Sequence, residues 1–123
     1  MKILMIDDIK CPTSFYKDRP NNIRFEEEEV VLVKNYSDGM TELEKGPWDI
    51  LLIDWNLNEF AVSRNGLKIL NSLSQTDHTS NIKVDKVIII TGDSEIRKQM
   101  MEVCQSMKEK GTIKEFEYQD LLF

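Results

Sequence analysis

Basic charge is in short supply in this chain. Sixteen Lys and Arg stand against 22 Asp and Glu, a net charge of −6, which argues against broad contact with nucleic acid or an anionic membrane. Long apolar runs are also missing. None approaches the ~20 residues of a membrane span, and the N-terminus carries no signal-peptide pattern, so a cytoplasmic location is expected. The two cysteines, Cys11 and Cys104, lie far apart in no metal-ligand spacing and read as free thiols of a reducing compartment. Cys104 falls on the apolar face of an expected helix and reads as core. Cys11 lies in a loop beside Pro12. The single histidine, His78, sits in a polar loop and reads as a solvated bystander rather than a general base.

What is present suits one soluble domain. A chain of 123 residues, 41% hydrophobic and 31% charged, has the length and composition of a compact globular unit. Its most informative residue is Asp54, which closes the apolar run Ile50-Leu51-Leu52-Ile53. A second run, Ile3-Leu4-Met5-Ile6, closes on Asp7 and Asp8. Short uninterrupted apolar runs of this kind read as buried parallel strands, here with carboxylates at their C-terminal ends.

Further strands are expected at Val30–Val33, at Val87–Ile90 ending on Thr91, and within Thr112–Tyr118. Between them, Ser37 or Asp38 caps a short helix that turns Met40 and Leu43 inward, and Gly46-Pro47 ends it. Another helix starts near Gly66 and buries Leu67, Leu70 and Leu73, with Ile69 at its margin. A longer one opens at Gly92-Asp93-Ser94 and carries Ile96, Met100, Val103, Cys104 and Met107 at helical spacing, until Gly111 stops it. The stretch from Cys11 to Asn22, with Pro12, Pro20 and several turn formers, is a poor helix and reads as a long loop. Glu26 to Glu29 read as a solvated strand entry. After Tyr118 there is no room for another full helix. The expected fold is an α/β, flavodoxin-like, doubly wound five-stranded parallel sheet, with its first helix degraded and its fifth missing.

In an open α/β sheet, ligands bind beyond the carboxyl ends of the strands. Asp7, Asp8, Asp54, Asn56 and Thr91 all belong to that edge. Clustered carboxylates repel one another and are most easily kept ionised around a hard divalent cation such as Mg²⁺. Helix capping accounts well for Asp93 or Ser94 but poorly for Asp8 and Asp54, because no helical pattern follows either of them.

With these residues in place, the whole chain resembles the receiver domain of two-component response regulators. The likeness rests on Asp7-Asp8, Asp54, Asn56 two residues later, Asn65-Gly66-Leu67 and Thr91-Gly92. It implies that Asp54 is the phosphoacceptor and that Mg²⁺ is held by Asp7, Asp8, Asp54 and the backbone carbonyl of Asn56. It further implies that Thr91, with Gly92, meets the phosphoryl group as the switch, that a histidine kinase or phosphotransfer protein is the donor, and that the output is a contact with another protein. The receiver pattern also has a lysine at the end of strand five. Here that segment reads Glu115-Phe116-Glu117-Tyr118-Gln119-Asp120. Lys114, at the start of the strand, and Lys10 are the candidate charge partners, with Arg64 a further cation near the site.

The chain is also similar to a family of small receiver-like proteins proposed to process cyclic phosphates. Asp7-Asp8-Ile9-Lys10-Cys11-Pro12 fits that family's opening motif with Lys for Arg, and Arg97-Lys98-Gln99-Met100 fits its pattern after strand four. That family carries Asp-His-Asp at strand three and His-Ser at strand four, where this chain has Asp54-Trp55-Asn56 and Thr91-Gly92. This likeness implies a metal-dependent phosphoester or cyclic-phosphate hydrolase as the alternative activity. A third reading is a degenerate receiver that binds partners without phosphorylation.

Overall fold

A computed structural model of the chain describes residues 2–7, 30–55, 57, 65–75, 82–90 and 93–118. Within them the elements run β1 (Ile3–Ile6), β2 (Val30–Val33), α1 (Tyr36–Leu43), β3 (Trp48–Ile53), α2 (Gly66–Ser74), β4 (Val84–Ile89), α3 (Ser94–Glu109) and β5 (Glu115–Tyr118). The five strands form one sheet in the order β2-β1-β3-β4-β5, and every neighbouring pair is parallel. This is the flavodoxin-like arrangement. The segment read as a degraded first helix, and the chain after Tyr118, lie outside the described residues.

The topology explains where the helices sit. From β2 to β3, β3 to β4 and β4 to β5 the chain always steps the same way across the sheet. Right-handed crossovers therefore place α1, α2 and α3 on one face. Their buried side chains (Leu43 of α1; Ile69, Leu70 and Leu73 of α2; Met100, Cys104 and Met107 of α3) join Leu4, Ile6, Leu51, Ile53, Val87 and Ile89 in the main core. The opposite face buries Ile3, Met5, Leu52, Ile88 and Ile90. Both faces are thus shielded, as an all-parallel sheet requires, which is why β1 and β3 read as unbroken apolar runs rather than alternating ones.

Helix starts are set by local hydrogen bonds. Helix α1 is capped two residues before Ser37, the first of the expected caps: Asn35, in extended backbone, accepts the amide of Asp38 through its side chain at 2.8 Å. Ser37 and Asp38 therefore lie inside the first turn. Asp93 caps α3 as expected, its Oδ1 accepting the amides of Glu95 and Ile96 at 3.0 and 3.1 Å. Gly111 closes that helix in the left-handed region at φ 79°, where a glycine carries no steric penalty.

Helix α2 is rotated from the expected stripe. Gly66, Ile69, Leu70 and Leu73 are its buried residues, at the i, i+3, i+4, i+7 spacing of one helix face. Leu67 is half-buried at the edge. The reason lies at the helix start, where Gly66 packs directly on the backbone of the β3 exit loop.

Candidate functional site

The strand order reverses at β1, so the crevice between β1 and β3 at the carboxyl edge is the topological switch point of the sheet. Ile6 pairs with Ile53 in register, and the next residues are Asp7 and Asp54. The amide of Asp54 donates to the carbonyl of Ile6 at 3.1 Å, while the amide of Asp7 donates to Val33 of β2 at 3.0 Å. Two carboxylate residues therefore begin on adjacent strands, about 4.8 Å apart in the hydrogen-bonding direction. Continuing the pleat by one residue gives both the parity of Met5 and Leu52, on the face opposite the helices. Asp7 is 1% exposed, the one buried charged residue among those described.

The Asp54 carboxylate is oriented locally. Its Oδ1 accepts the backbone amide of Trp55 at 2.7 Å, and the carbonyl of Trp55 accepts the amide of Gly66 at 2.9 Å. Asn65 caps α2 by accepting the amide of Lys68 at 3.0 Å. The helix start, the loop and the carboxylate are thus joined by consecutive hydrogen bonds. Trp55 itself is half-buried and packs against the main core.

The donor set suits a hard cation. Two acidic residues leave adjacent strands at one edge and one of them is almost wholly withdrawn from water, which favours a compensating positive charge. The described residues hold no cluster of three His, Cys, Asp or Glu side chains placed for a metal. The third carboxylate of the sequence pattern, Asp8, lies outside them, as do Asn56, Thr91, Gly92, Lys10, Arg64, His78 and Cys11.

Lys114 is described, and the structure does not bring it to this edge. It precedes β5, donates its amide to the carbonyl of Asp85 at 2.9 Å, and holds its ammonium 3.6 Å from the Asp85 carboxylate with 80% of the side chain exposed. Asp85 is the second residue of β4, so the pair sits at the entrance edge of the sheet. The carboxylates lie roughly five residues further along, about 16 Å away at the strand rise. Two other cations are found at the carboxyl edge. Arg97, in the first turn of α3, stacks its guanidinium 3.8 Å from the ring centroid of Tyr118 at the end of β5. Lys34 follows Val33, which pairs with Ile6, so it falls on the same row as Asp7 and Asp54. Reading strand ends only for acids and hydroxyls overlooks Lys34. The signal was present, since it directly follows the run Val30–Val33.

A sheet of this order, with acids at its switch point, is the arrangement that receiver-type domains share. The family model for the cyclic-phosphate processing receiver domain matches residues 2–106, and the chain belongs to that family. No curated protein matches it. Among solved structures, the chain is similar to a CheY-like response regulator receiver domain from Methylobacillus flagellatus. The TM-score is 0.61 at 15% identity, over 99% of this chain and 88% of that one. A CheY-like receiver domain protein from Methanospirillum hungatei JF-1 gives a TM-score of 0.56 at 16% identity, over 98% of this chain and 82% of the other. At these identities the likeness is one of fold.

Proposed function

We propose that this receiver domain takes a phosphoryl group on Asp54 with Mg²⁺ held at the carboxyl edge, and that it signals through contacts with another protein. The observation that carries the reading is the hydrogen bond from the Asp54 amide to the carbonyl of Ile6, which sets Asp54 beside buried Asp7 at the switch point. Asp7, Asp8 and Asp54 would hold the cation, with the carbonyl of Asn56 as a further oxygen donor. When bound, Mg²⁺ neutralises charge on the phosphoryl oxygens. An Asp54 carboxylate oxygen attacks phosphorus in line, the bond from phosphorus to the donor's leaving atom breaks, and that atom departs with the electron pair. The Trp55 amide on Oδ1 fixes the carboxylate for that approach. Thr91, with Gly92, would meet the added phosphoryl oxygens and pass the change to the loop after β4. The donor would be a histidine kinase or phosphotransfer protein, the recipient an output protein, and the setting the cytoplasm.

The family match favours a second reading, hydrolysis of a cyclic phosphate by the same carboxylates. The lack of a histidine at positions 55 and 91 weighs against it, because no imidazole is then supplied at those positions to move a proton.

The test is intact mass after incubation with Mg²⁺ and acetyl phosphate, beside Asp54→Asn. A single phosphoryl adduct on wild type, absent from the variant, supports the acceptor reading. Turnover of a 2′,3′-cyclic nucleotide with no adduct transfers it to the hydrolase reading. Neither adduct nor turnover, with no Mg²⁺ binding by calorimetry, leaves partner binding without phosphorylation.

A further inference from the structure

We propose that Gly66 is a positioning residue for the Asp54 carboxylate, acting through the backbone of Trp55; the functional part of this inference rests on the acceptor reading of Asp54. Three observations converge on it. The amide of Gly66 donates to the carbonyl of Trp55 at 2.9 Å, and the amide of Trp55 donates to Asp54 Oδ1 at 2.7 Å. The residue that begins α2 is thus linked through a single residue to one carboxylate oxygen. The third observation is steric. A Cβ on Gly66 would overlap the Asp54 carbonyl oxygen, and would lie 2.8 Å from the Asp54 carbonyl carbon and 3.1 Å from Trp55 Cα. These neighbours are main-chain atoms of the segment leaving β3, whose Asp54 amide is held by the Ile6 carbonyl, so no flexible side chain is available to give way.

The backbone conformation is not what requires glycine here. Gly66 is the first residue of α2, and its φ is not in the left-handed region, Gly111 being the positive-φ glycine among those described. What is required is close approach: only a residue without Cβ lets the helix start rest on the loop that leaves β3. The helix in turn cannot retreat, because Ile69, Leu70 and Leu73 hold it against the sheet in the main core. A side chain at position 66 therefore pushes on the Asp54–Trp55 peptide, and the Trp55 amide moves off Oδ1. The carboxylate then loses its fixed orientation while the sheet and the α2 core contacts persist.

The experiment reads the relay and its consequence separately. In ¹⁵N-labelled protein, the Trp55 amide is followed by chemical shift and hydrogen exchange in wild type, Gly66→Ala, Asp54→Ala and Ile69→Val, the last weakening α2 packing without touching the loop. Phosphorylation by acetyl phosphate is followed by intact mass in wild type, Gly66→Ala and Ile69→Val. Gly66→Ala is expected to lower Trp55 amide protection at least tenfold, as Asp54→Ala does, and to slow phosphorylation at least tenfold. Ile69→Val should stay within about twofold on both readouts despite a lower melting temperature. A folded Gly66→Ala with wild-type Trp55 protection overturns the proposal, as does an equal loss in Ile69→Val. If wild type takes no phosphoryl group, the acceptor reading fails and the Trp55 amide alone decides the relay. If Gly66→Ala does not fold, wild type and Asp54→Ala decide it: loss of the carboxylate must lower protection of the Gly66 amide as well, and an unchanged Gly66 amide sinks the relay.

Discussion

The amide of Asp54 rests on the carbonyl of Ile6 at 3.1 Å, so the chain leaves β3 beside the residue that leaves β1, Asp7. Both acids are placed by main-chain pairing of two buried strands. That strand pairing is held in turn by the packing of Ile3, Leu4, Met5, Leu51, Leu52 and Ile53, each 0% exposed.

Neutralising Asp7 separates the metal role proposed for it from its structural one. At 1% exposure its carboxylate is costly to keep ionised beside a second one. Asp7→Asn is expected to weaken Mg²⁺ binding at least tenfold, or about 1.4 kcal/mol, as read by titration calorimetry. In metal-free protein the same change should raise the thermal midpoint, because a buried acidic residue next to a second one no longer carries charge. Added Mg²⁺ should then raise the midpoint of wild type and not of the variant.

Lys34 and Lys114 should behave as opposites. Lys34 shares a row with Asp7 and Asp54 through the Ile6–Val33 register, whereas Lys114 pairs with Asp85 at the other edge. Lys34→Ala is expected to slow phosphorylation by acetyl phosphate a few-fold, with the difference shrinking at high salt because exposed charges are screened. Lys114→Ala should leave that rate unchanged and alter stability by less than about 0.5 kcal/mol, as exposed ion pairs contribute little. Rates by intact mass at two ionic strengths decide the matter. A slower Lys114→Ala with an unaffected Lys34→Ala would reverse the assignment.

Loss of the α1 cap tests a local rule. Asn35→Ala removes the acceptor of the Asp38 amide and should lower stability by about 1 kcal/mol. Urea titration should show a lower midpoint with an unchanged slope. Ser37→Ala, inside the first turn, should cost less.

The strands were legible because burial on both faces leaves no ambiguity in Ile3–Ile6 or Ile50–Ile53, and strand ends show where a parallel sheet places its acids. The start of α1 was not legible to the residue, since Asn35, Ser37 and Asp38 are all competent caps and only the extended backbone at Asn35 chooses among them. The rotation of α2 was hidden for a different reason. Leu67, Leu70 and Leu73 match a helical stripe as well as Ile69, Leu70 and Leu73 do. The choice is made by Gly66 meeting the Asp54 carbonyl, a contact between segments that periodicity cannot register. Lys114 shows a third limit: an estimate of where β5 begins decides which edge of the sheet a lysine occupies.

Cys104 supplies the pH dependence. It is fully buried in the main core, and burial pushes its thiol from 9.0 up to about 12, because burial strips the thiolate of the water that would stabilise it. In the unfolded chain the thiol loses its proton near the ordinary value, while in the folded chain it keeps it. Between those two values the unfolded state binds fewer protons, so stability falls as pH rises, with a slope approaching about 1.4 kcal/mol per pH unit from this group. Below the ordinary value the contribution is intact. Urea unfolding of wild type and Cys104→Ala at pH 8 and pH 10.5 isolates it. The variant starts less stable, through the cavity left by the sulfur, and the gap between the two proteins should shrink by roughly 2 kcal/mol at the higher pH. A gap that stays constant would mean that the thiolate is tolerated in the folded core, contrary to its burial between α3 and the sheet.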